Sequence, residues 1–308
     1  MATQRLATWI AVLLPTLTAA SIGFAREPAV GLTFVPGITL GQANAVPLSP
    51  GWRIASRTTY ADSLLLGNDL KPTGLRYMAA SEIALVTWVP DVTILGAGYK
   101  AFVAAPFVNT TLVREAPVPA ASRGTTTQFG GGNPKLQMLD LSWPLGDGFY
   151  VNSGFGVYFP IGQWALNAPL NLGTPFWTFE PNGAFSYFKD GWTASVQAVY
   201  DTNTINPVNQ YYSGDQIVVN ATFMKMFGGV NFGPVGYWLK QVTNDANYGG
   251  RTVFGGITSP PGEQLGVGAT ASTQFGRLSV QLMFTQDVYA QNGFLGSKGW
   301  LGVSYHLY

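Results

Sequence analysis

The 308-residue sequence contains no cysteine, one histidine and few charged residues, which make up only 10% of the chain. Without cysteine it has neither a disulfide framework nor a thiolate metal site, and a single histidine excludes the usual His/Cys metal sites. Soluble domains contain about 25% charged residues, so this chain has too few to cover a water-exposed surface well. A net charge of +1 gives no support for nucleic acid as a partner.

Long apolar runs are also missing after the N-terminus, where no stretch approaches the ~20 apolar residues that a membrane-spanning helix needs. The apolar run at residues 6–20 follows Arg5, is interrupted by Pro15 and precedes the small-residue site at residues 23–25. This arrangement is typical of a secretory signal peptide, and we expect cleavage after Ala25. The exported chain is then periplasmic, secreted or embedded in the bacterial outer membrane.

What the sequence does contain is alternation at period two in about a dozen stretches. In the clearest one, residues 149–159, the apolar Phe149 and Phe155 alternate with the polar or small Asn152 and Gly154. A soluble β-sandwich would alternate as well, with its apolar face forming the core. The low charge, the 14% aromatic content and the aromatics near predicted strand ends favour a transmembrane barrel, whose apolar face contacts lipid.

Turn lengths support the same prediction. Short turns are predicted at residues 90–91, 146–148, 189–191, 228–229 and 276–277, and longer connections at residues 64–76, 107–132, 160–175, 201–214, 243–262 and 290–298. Outer-membrane barrels have short periplasmic turns and long extracellular loops. We therefore predict an all-β fold, a transmembrane antiparallel up-and-down β-barrel of about twelve strands. Its predicted organisation is a signal peptide at 1–25, a Gly/Pro-rich segment at 26–51 and the barrel at 52–308.

Several short motifs resemble one known family. They are GGNPKL at residues 131–136, GFGVYFPIG at 154–162, WTFEPN at 177–182, YDTNTINP at 200–207 and GYWLKQVTND at 236–245. Together they resemble the "MetA-pathway of phenol degradation" family of Gram-negative outer-membrane proteins over nearly all of the mature chain. The resemblance implies an outer-membrane barrel associated with the breakdown of aromatic compounds, with a role in transport. It brings no catalytic residue with it.

Polar residues on the non-lipid faces of the predicted strands are candidates for the lumen. Glu180 shares a face with Thr178 and Asn182, opposite Trp177 and Phe179, and an unpaired carboxylate facing lipid would be costly. These side chains would either form a constriction that selects solutes or fill a narrow barrel as a structural network. The candidates are Glu180, Lys100, Arg53, Arg57, Asn152, Gln197, Asn220 and Gln281.

Catalytic and metal sites have little support in the sequence. His306 lies two residues from Ser304 on the same strand face, but no acidic or amide residue nearby would orient it as a lipase base requires. Carboxylate-only calcium binding at Asp201 or Asp245 has no supporting spacing. We therefore expect no enzyme activity, no cofactor and no metal.

Two functions remain open. In the first, the barrel is a passive conduit for small, weakly polar or aromatic organic compounds, collected by the loop aromatics Phe107, Trp164, Tyr211, Tyr212 and Tyr248. In the second, the barrel is sealed and its extracellular loops bind a partner. The expected partners are outer-membrane lipids, the barrel assembly machinery and small aromatic solutes.

Residues 26–51 also allow two interpretations. They form either a weakly ordered periplasmic lead-in or a plug that enters the lumen, because exposed Phe34 and Val35 would be unfavourable in water.

Overall fold

The computed structural model describes residues 26–307, so the predicted signal peptide and Tyr308 lie outside the described residues. Three short 3-10 helices occur in the connections, at Ala120–Ser122, Gly250–Thr252 and Phe254–Gly256. In residues 26–307, no helix is long and apolar enough to cross a membrane. The strands are β1 (Gly51–Leu66), β2 (Pro72–Val89), β3 (Thr93–Ile94), β4 (Ala97–Tyr99), β5 (Ala101–Arg114), β6 (Gly124–Gly131), β7 (Lys135–Gly146), β8 (Phe149–Tyr158), β9 (Thr178–Lys189), β10 (Trp192–Asn203), β11 (Tyr211–Tyr212), β12 (Gln216–Phe227), β13 (Val230–Gln241), β14 (Ala246–Asn247), β15 (Glu263–Phe275), β16 (Leu278–Gln291) and β17 (Phe294–His306).

The main sheet closes into a twelve-stranded antiparallel barrel, which confirms the predicted fold class. Its wall consists of β1, β2, β5, β6 with β7, β8, β9, β10, β12, β13, β15, β16 and β17. β6 and β7 act as one wall strand that is interrupted at residues 132–134. β5 pairs with β6 over Phe107–Arg114 and with β7 over Phe102–Ala104, and this second pairing closes the sheet. Closure satisfies the backbone hydrogen bonds that an open edge would leave unpaired in lipid.

Four of the five predicted short turns are tight in the structure, whereas the fifth and several of the predicted long connections differ. Tight turns follow β7, β9, β12 and β15, where Asp147, Asp190 and Gly276 adopt positive φ angles. The turn predicted at residues 90–91 is instead a longer connection that contains the β3–β4 hairpin. The connections predicted at 64–76 and 290–298 are shorter, because β1, β2, β16 and β17 continue into those ranges.

The predicted connection at 107–132 is wrong. Most of it consists of the end of β5 and all of β6. The threonine-rich stretch Gly124–Gly131 is too polar to look like a lipid-facing strand, yet it extends the wall by pairing with β5.

Side chains alternate between lipid and lumen along the wall, as the period-two pattern predicts. On β8, Phe149 is exposed on the outer face and Asn152 is buried on the inner face. Near the short-turn end, aromatic rings pack on each other on the outer face, as in Trp52 with Trp88 at 6.3 Å between ring centroids. Aromatic side chains at this level are typical of the membrane interface.

The chain from residue 26 to residue 50, which we call the N-terminal segment, lies among the inward-facing side chains of the wall. Leu40 is fully buried in a cluster with Tyr237, Met283 and Trp300. Phe34 packs in a second cluster with Val199, Val218 and Leu239. The segment therefore buries the apolar side chains that would be unfavourable in water.

Candidate functional site

The lumen is occupied in part by the N-terminal segment, whose backbone is held by inward-facing side chains. The Gly37 amide donates to Asn220 Oδ1 at 3.0 Å, and the Gly41 amide donates to Thr222 Oγ1 at 2.9 Å. Thr39 Oγ1 donates to Gln197 Oε1 at 2.5 Å. A segment without regular secondary structure can be buried here because wall side chains satisfy its backbone polar groups.

Arg57 and Gln281 hold the same segment from the other side. The Arg57 guanidinium donates to the Ile38 and Leu40 carbonyls, the second at 3.2 Å. Gln281 Nε2 donates to the Leu40 carbonyl at 3.0 Å, and its Oε1 accepts from Arg57. Four of the residues predicted from the sequence as lumen candidates, Arg57, Gln197, Asn220 and Gln281, thus contact the N-terminal segment directly.

Glu180 is almost completely buried and forms an ion pair with Lys135. The Tyr158 hydroxyl donates to its Oε2 at 2.9 Å, and Asn182 Nδ2 donates to its Oε1 at 3.1 Å. Three donors around one carboxylate offset much of the desolvation cost of burying it. The Lys135 ammonium also lies 5.4 Å from the centroid of the Phe102 ring.

A second ion pair joins Lys100 to Asp140, with 3.4 Å between Nζ and Oδ1. Asn152 Nδ2 donates to the same Asp140 oxygen at 2.6 Å. Lys100 and Asn152, which the sequence suggested separately, therefore meet at a carboxylate that sequence reasoning missed. Lys135 and Asp140 could have been found by asking which oppositely charged residue on a neighbouring lumen face would pair with Glu180 or Lys100.

Arg53 lies four residues before Arg57 on the same inner face of β1, nearer the short-turn end of the barrel. Its guanidinium donates to the Ser49 carbonyl at 2.8 Å and to Ser49 Oγ at 2.7 Å. Within residues 26–307, neither Arg53 nor Arg57 forms a salt bridge with a carboxylate, whereas Lys100 and Lys135 both do. Among the described residues, no carboxylate lies close enough to compensate the positive charge of these two arginines.

At the long-loop end, the start of the N-terminal segment enters a cluster of amide side chains. Glu27 is buried, and its carboxylate accepts from Asn206 Nδ2 at 3.0 Å and from Asn209 Nδ2 at 2.6 Å. Arg26 Nη2 donates to Asn203 Oδ1 at 3.0 Å. Burial raises the pKa of the Glu27 carboxyl despite the two amide donors, and burial lowers the pKa of Arg26.

A cavity of about 910 Å³ lies between the N-terminal segment and the opposite wall. It reaches Leu172 near the long-loop end and His306 near the short-turn end. The β2 and β5 part of its wall is apolar, although the interior of an outer-membrane barrel is usually polar. This surface, which we call the apolar strip, consists of Ile83, Leu85, Phe102, Ala104, Pro106 and Val108.

The loop aromatics predicted to collect solute do not form one surface. Phe107 is not in a loop: it lies on β5 with its side chain on the outer face, 49% exposed. Tyr211 is completely buried, and its hydroxyl donates to Asp245 Oδ2 at 2.6 Å, so it cannot meet solute at the surface. The loop position predicted for Phe107 is wrong because the sequence pattern does not show that β5 continues to Arg114. The burial of Tyr211 could not be predicted because the pattern does not show which residues within a connection pack together.

The other three loop aromatics differ in exposure. Tyr212 is half-buried and donates to Asp215 Oδ1 at 2.7 Å; burial, together with this bond, raises the pKa of Tyr212 to about 12. Trp164 is half-buried, and Tyr248 is 68% exposed. In the part of the chain that the structure describes, no group of three or more His, Cys, Asp or Glu side chains could hold a metal ion.

Comparison with known families identifies the chain. The model of the family described as "Putative MetA-pathway of phenol degradation" matches residues 61–303. The chain belongs to this family. No curated protein sequence matches it significantly.

Solved structures with the same fold are outer-membrane barrels. The COG4313 outer membrane channel from Pseudomonas putida F1 has a TM-score of 0.72 at 13% identity, with 86% of this chain and 98% of that one covered. The translocator domain of the autotransporter NalP from Neisseria meningitidis has a TM-score of 0.50 at 10% identity, covering 86% and 90%. This member of the phenol-degradation family is thus a twelve-stranded barrel of the bacterial outer membrane.

Proposed function

We propose that this barrel is a passive conduit for small, weakly polar or aromatic organic compounds and has no catalytic role. The observation that carries the proposal is the apolar strip, which lines a cavity of about 910 Å³ and contributes no residue to the two buried clusters that the N-terminal segment forms with the wall. Apolar side chains that face an open lumen are unfavourable unless they contact an apolar solute. The family description and the channel named in the structural comparison support the same function.

The N-terminal segment acts in this proposal as a plug that narrows the lumen to one side. It binds β9, β10, β12 and β16 through hydrogen bonds to residues such as Ser186, Gln197, Asn220 and Gln281. The free side of the lumen is therefore the one that carries the apolar strip. A narrow passage beside a fixed plug favours solutes that can lose their hydration cheaply, because the strip offers few hydrogen-bonding groups.

Paired glycosides test the proposal, because their sugar slows direct passage through lipid. Liposomes that contain the protein are mixed with the phenyl glycoside or the methyl glycoside of one sugar. The rate of liposome swelling measures how fast each glycoside enters. We expect faster entry of the phenyl glycoside despite its larger size. Ala104→Trp, which fills the lumen beside the strip, should remove this entry, whereas Ala105→Trp on the outer face of the same strand should not.

Entry of both glycosides at the rate of protein-free liposomes would contradict the conduit. The result would favour the alternative of a sealed barrel whose loops bind a partner. A conduit that admits the methyl glycoside faster would contradict the preference for aromatic solutes but not the passage itself.

A further inference from the structure

We propose that the solutes of this passage are amphiphilic organic anions, such as aromatic carboxylates or sulfonates. The anionic group would lie at Arg53 and Arg57, and the apolar body would lie on the apolar strip. This inference rests on the proposed conduit and adds the charge that its solutes carry.

The strand register places the two arginines directly beside the apolar strip. Arg57 on β1 is opposite Ile83 on β2, which is opposite Pro106 on β5. Arg53 is level with Phe102 in the same way, through Thr87. Adjacent strands are about 4.8 Å apart, so the backbones of an arginine and of the strip residue two strands away are about 10 Å apart, close enough for both side chains to contact one small aromatic anion.

The charges that line the cavity favour an anion. Lys100 and Lys135 are matched by the carboxylates Asp140 and Glu180, and each of these pairs is close to neutral. Arg53 and Arg57 have carbonyl and amide oxygens as neighbours instead of carboxylates. An enclosed, partly apolar cavity with two such arginines focuses a positive potential on any solute that enters it.

The arginine side chain also suits this ligand chemically. A planar guanidinium with five N–H donors can bind a carboxylate or sulfonate through two hydrogen bonds, and it is more weakly hydrated than an ammonium group. The two terminal nitrogens of Arg53 donate hydrogen bonds to Ser49, a neutral partner at the short-turn end of the lumen. An arriving anion could replace that serine at small cost, because a guanidinium binds the two oxygens of a carboxylate or sulfonate more strongly than it binds neutral carbonyl and hydroxyl oxygens.

Two permanently charged ions of similar size test the inference, because neither crosses lipid readily. Benzenesulfonate and phenyltrimethylammonium are compared for entry into liposomes that contain the protein. We expect the anion to enter about five-fold faster or more, since both arginines lie within one Debye length of the path. Arg53→Gln should reduce this ratio at least two-fold, and the Arg53→Gln/Arg57→Gln double variant should bring it close to one.

Lys71→Gln is the matched control, because it removes the same charge from an exposed loop at the far end of the barrel. It should leave the ratio unchanged. Arg57 also holds the N-terminal segment, so Arg53→Gln alone provides a test that does not depend on that contact. Each variant is first checked for folding by its resistance to urea.

The outcomes separate the two proposals. Equal entry of both ions, above the rate of protein-free liposomes, would overturn the preference for anions and leave the conduit intact. Exclusion of both ions while the phenyl glycoside still enters would also overturn the preference for anions. Exclusion of the ions and of the glycoside together would overturn the conduit itself.

Discussion

Replacing Leu40 by alanine should release the N-terminal segment from the lumen while the barrel stays folded. Leu40 is fully buried among Tyr237, Met283 and Trp300, and it is the main apolar anchor on that side of the segment. Truncating a buried leucine costs about 2–5 kcal/mol, depending on how well the site can collapse. A loss of about 3 kcal/mol would lower the ratio of docked to released segment roughly 150-fold. The wall strands keep their own hydrogen bonds, so their unfolding should change little.

A single cysteine measures this release cleanly because the chain has none of its own. Ala45 is completely buried, and its amide donates to Ser186 Oγ at 3.0 Å, so Ala45→Cys should react slowly with a bulky maleimide. When opening is fast, the labelling rate follows the population of the released state. We therefore expect about 100-fold faster labelling in the Leu40→Ala background.

The control is Leu301→Ala, which truncates the same side chain on the outer face of β17, where Leu301 is 41% exposed. Labelling at position 45 should not change in this variant. If Leu40→Ala left the labelling rate unaltered, or if both leucine variants accelerated it equally, the packing that we assign to Leu40 would be refuted.

Three further perturbations follow from the same contacts. Glu180→Ala leaves Lys135 buried without its carboxylate, so we expect a loss of about 3–5 kcal/mol in urea unfolding followed by tryptophan fluorescence. The Glu180→Leu/Lys135→Met double variant should lose less stability than Glu180→Ala. A loss in the double variant equal to the sum of the losses in its two single variants would show that the pair is not coupled. Docking should strengthen as pH falls from neutral toward the usual glutamate pKa, because burial raises the pKa of the Glu27 carboxyl and the docked segment therefore binds more protons. That stabilisation is fully present below the usual glutamate pKa and is lost as pH rises through the raised pKa. Labelling of Ala45→Cys, corrected for the reactivity of the thiol, should therefore slow as pH falls. Glu27→Gln should remove this pH dependence of labelling. Gly37 has a φ of +93° and would place a Cβ 3.1 Å from the Tyr237 ring, so Gly37→Ala should destabilise docking by about 1–3 kcal/mol and accelerate the same labelling; an unchanged rate would contradict that strain.

Much of the wall could be predicted from the sequence because strand alternation has a period of two and the environment alternates with it. Glu180 and Asn152 could be assigned to the lumen in this way, and the structure places both on the inner face. Phe107 could not be placed correctly, because the threonines that pair with its strand are as polar as a loop.

The contacts inside the lumen were harder to predict. The N-terminal segment binds through its backbone, for example from the Gly37 amide to Asn220, and backbone donors leave no pattern in the sequence. The pairing of Glu180 with Lys135 depends on how β7 and β9 are aligned through β8, which one strand's alternation does not specify. The sequence therefore shows which face a residue occupies more readily than which partner it meets.

The N-terminal segment braces the barrel unevenly, and this gives the wall two mechanical halves. It is hydrogen-bonded to β9, β10, β12, β16 and β1, whereas no hydrogen bond in residues 26–307 joins it to β2, β5 or β6. β6 pairs only with β5 among the described strands, and the wall strand is interrupted between β6 and β7. The unbraced half is therefore the more compliant one, and amide exchange should be fastest there. Because the apolar strip lies on this softer half, the proposed passage would widen for a bulkier solute while the hydrogen-bonded half keeps its shape.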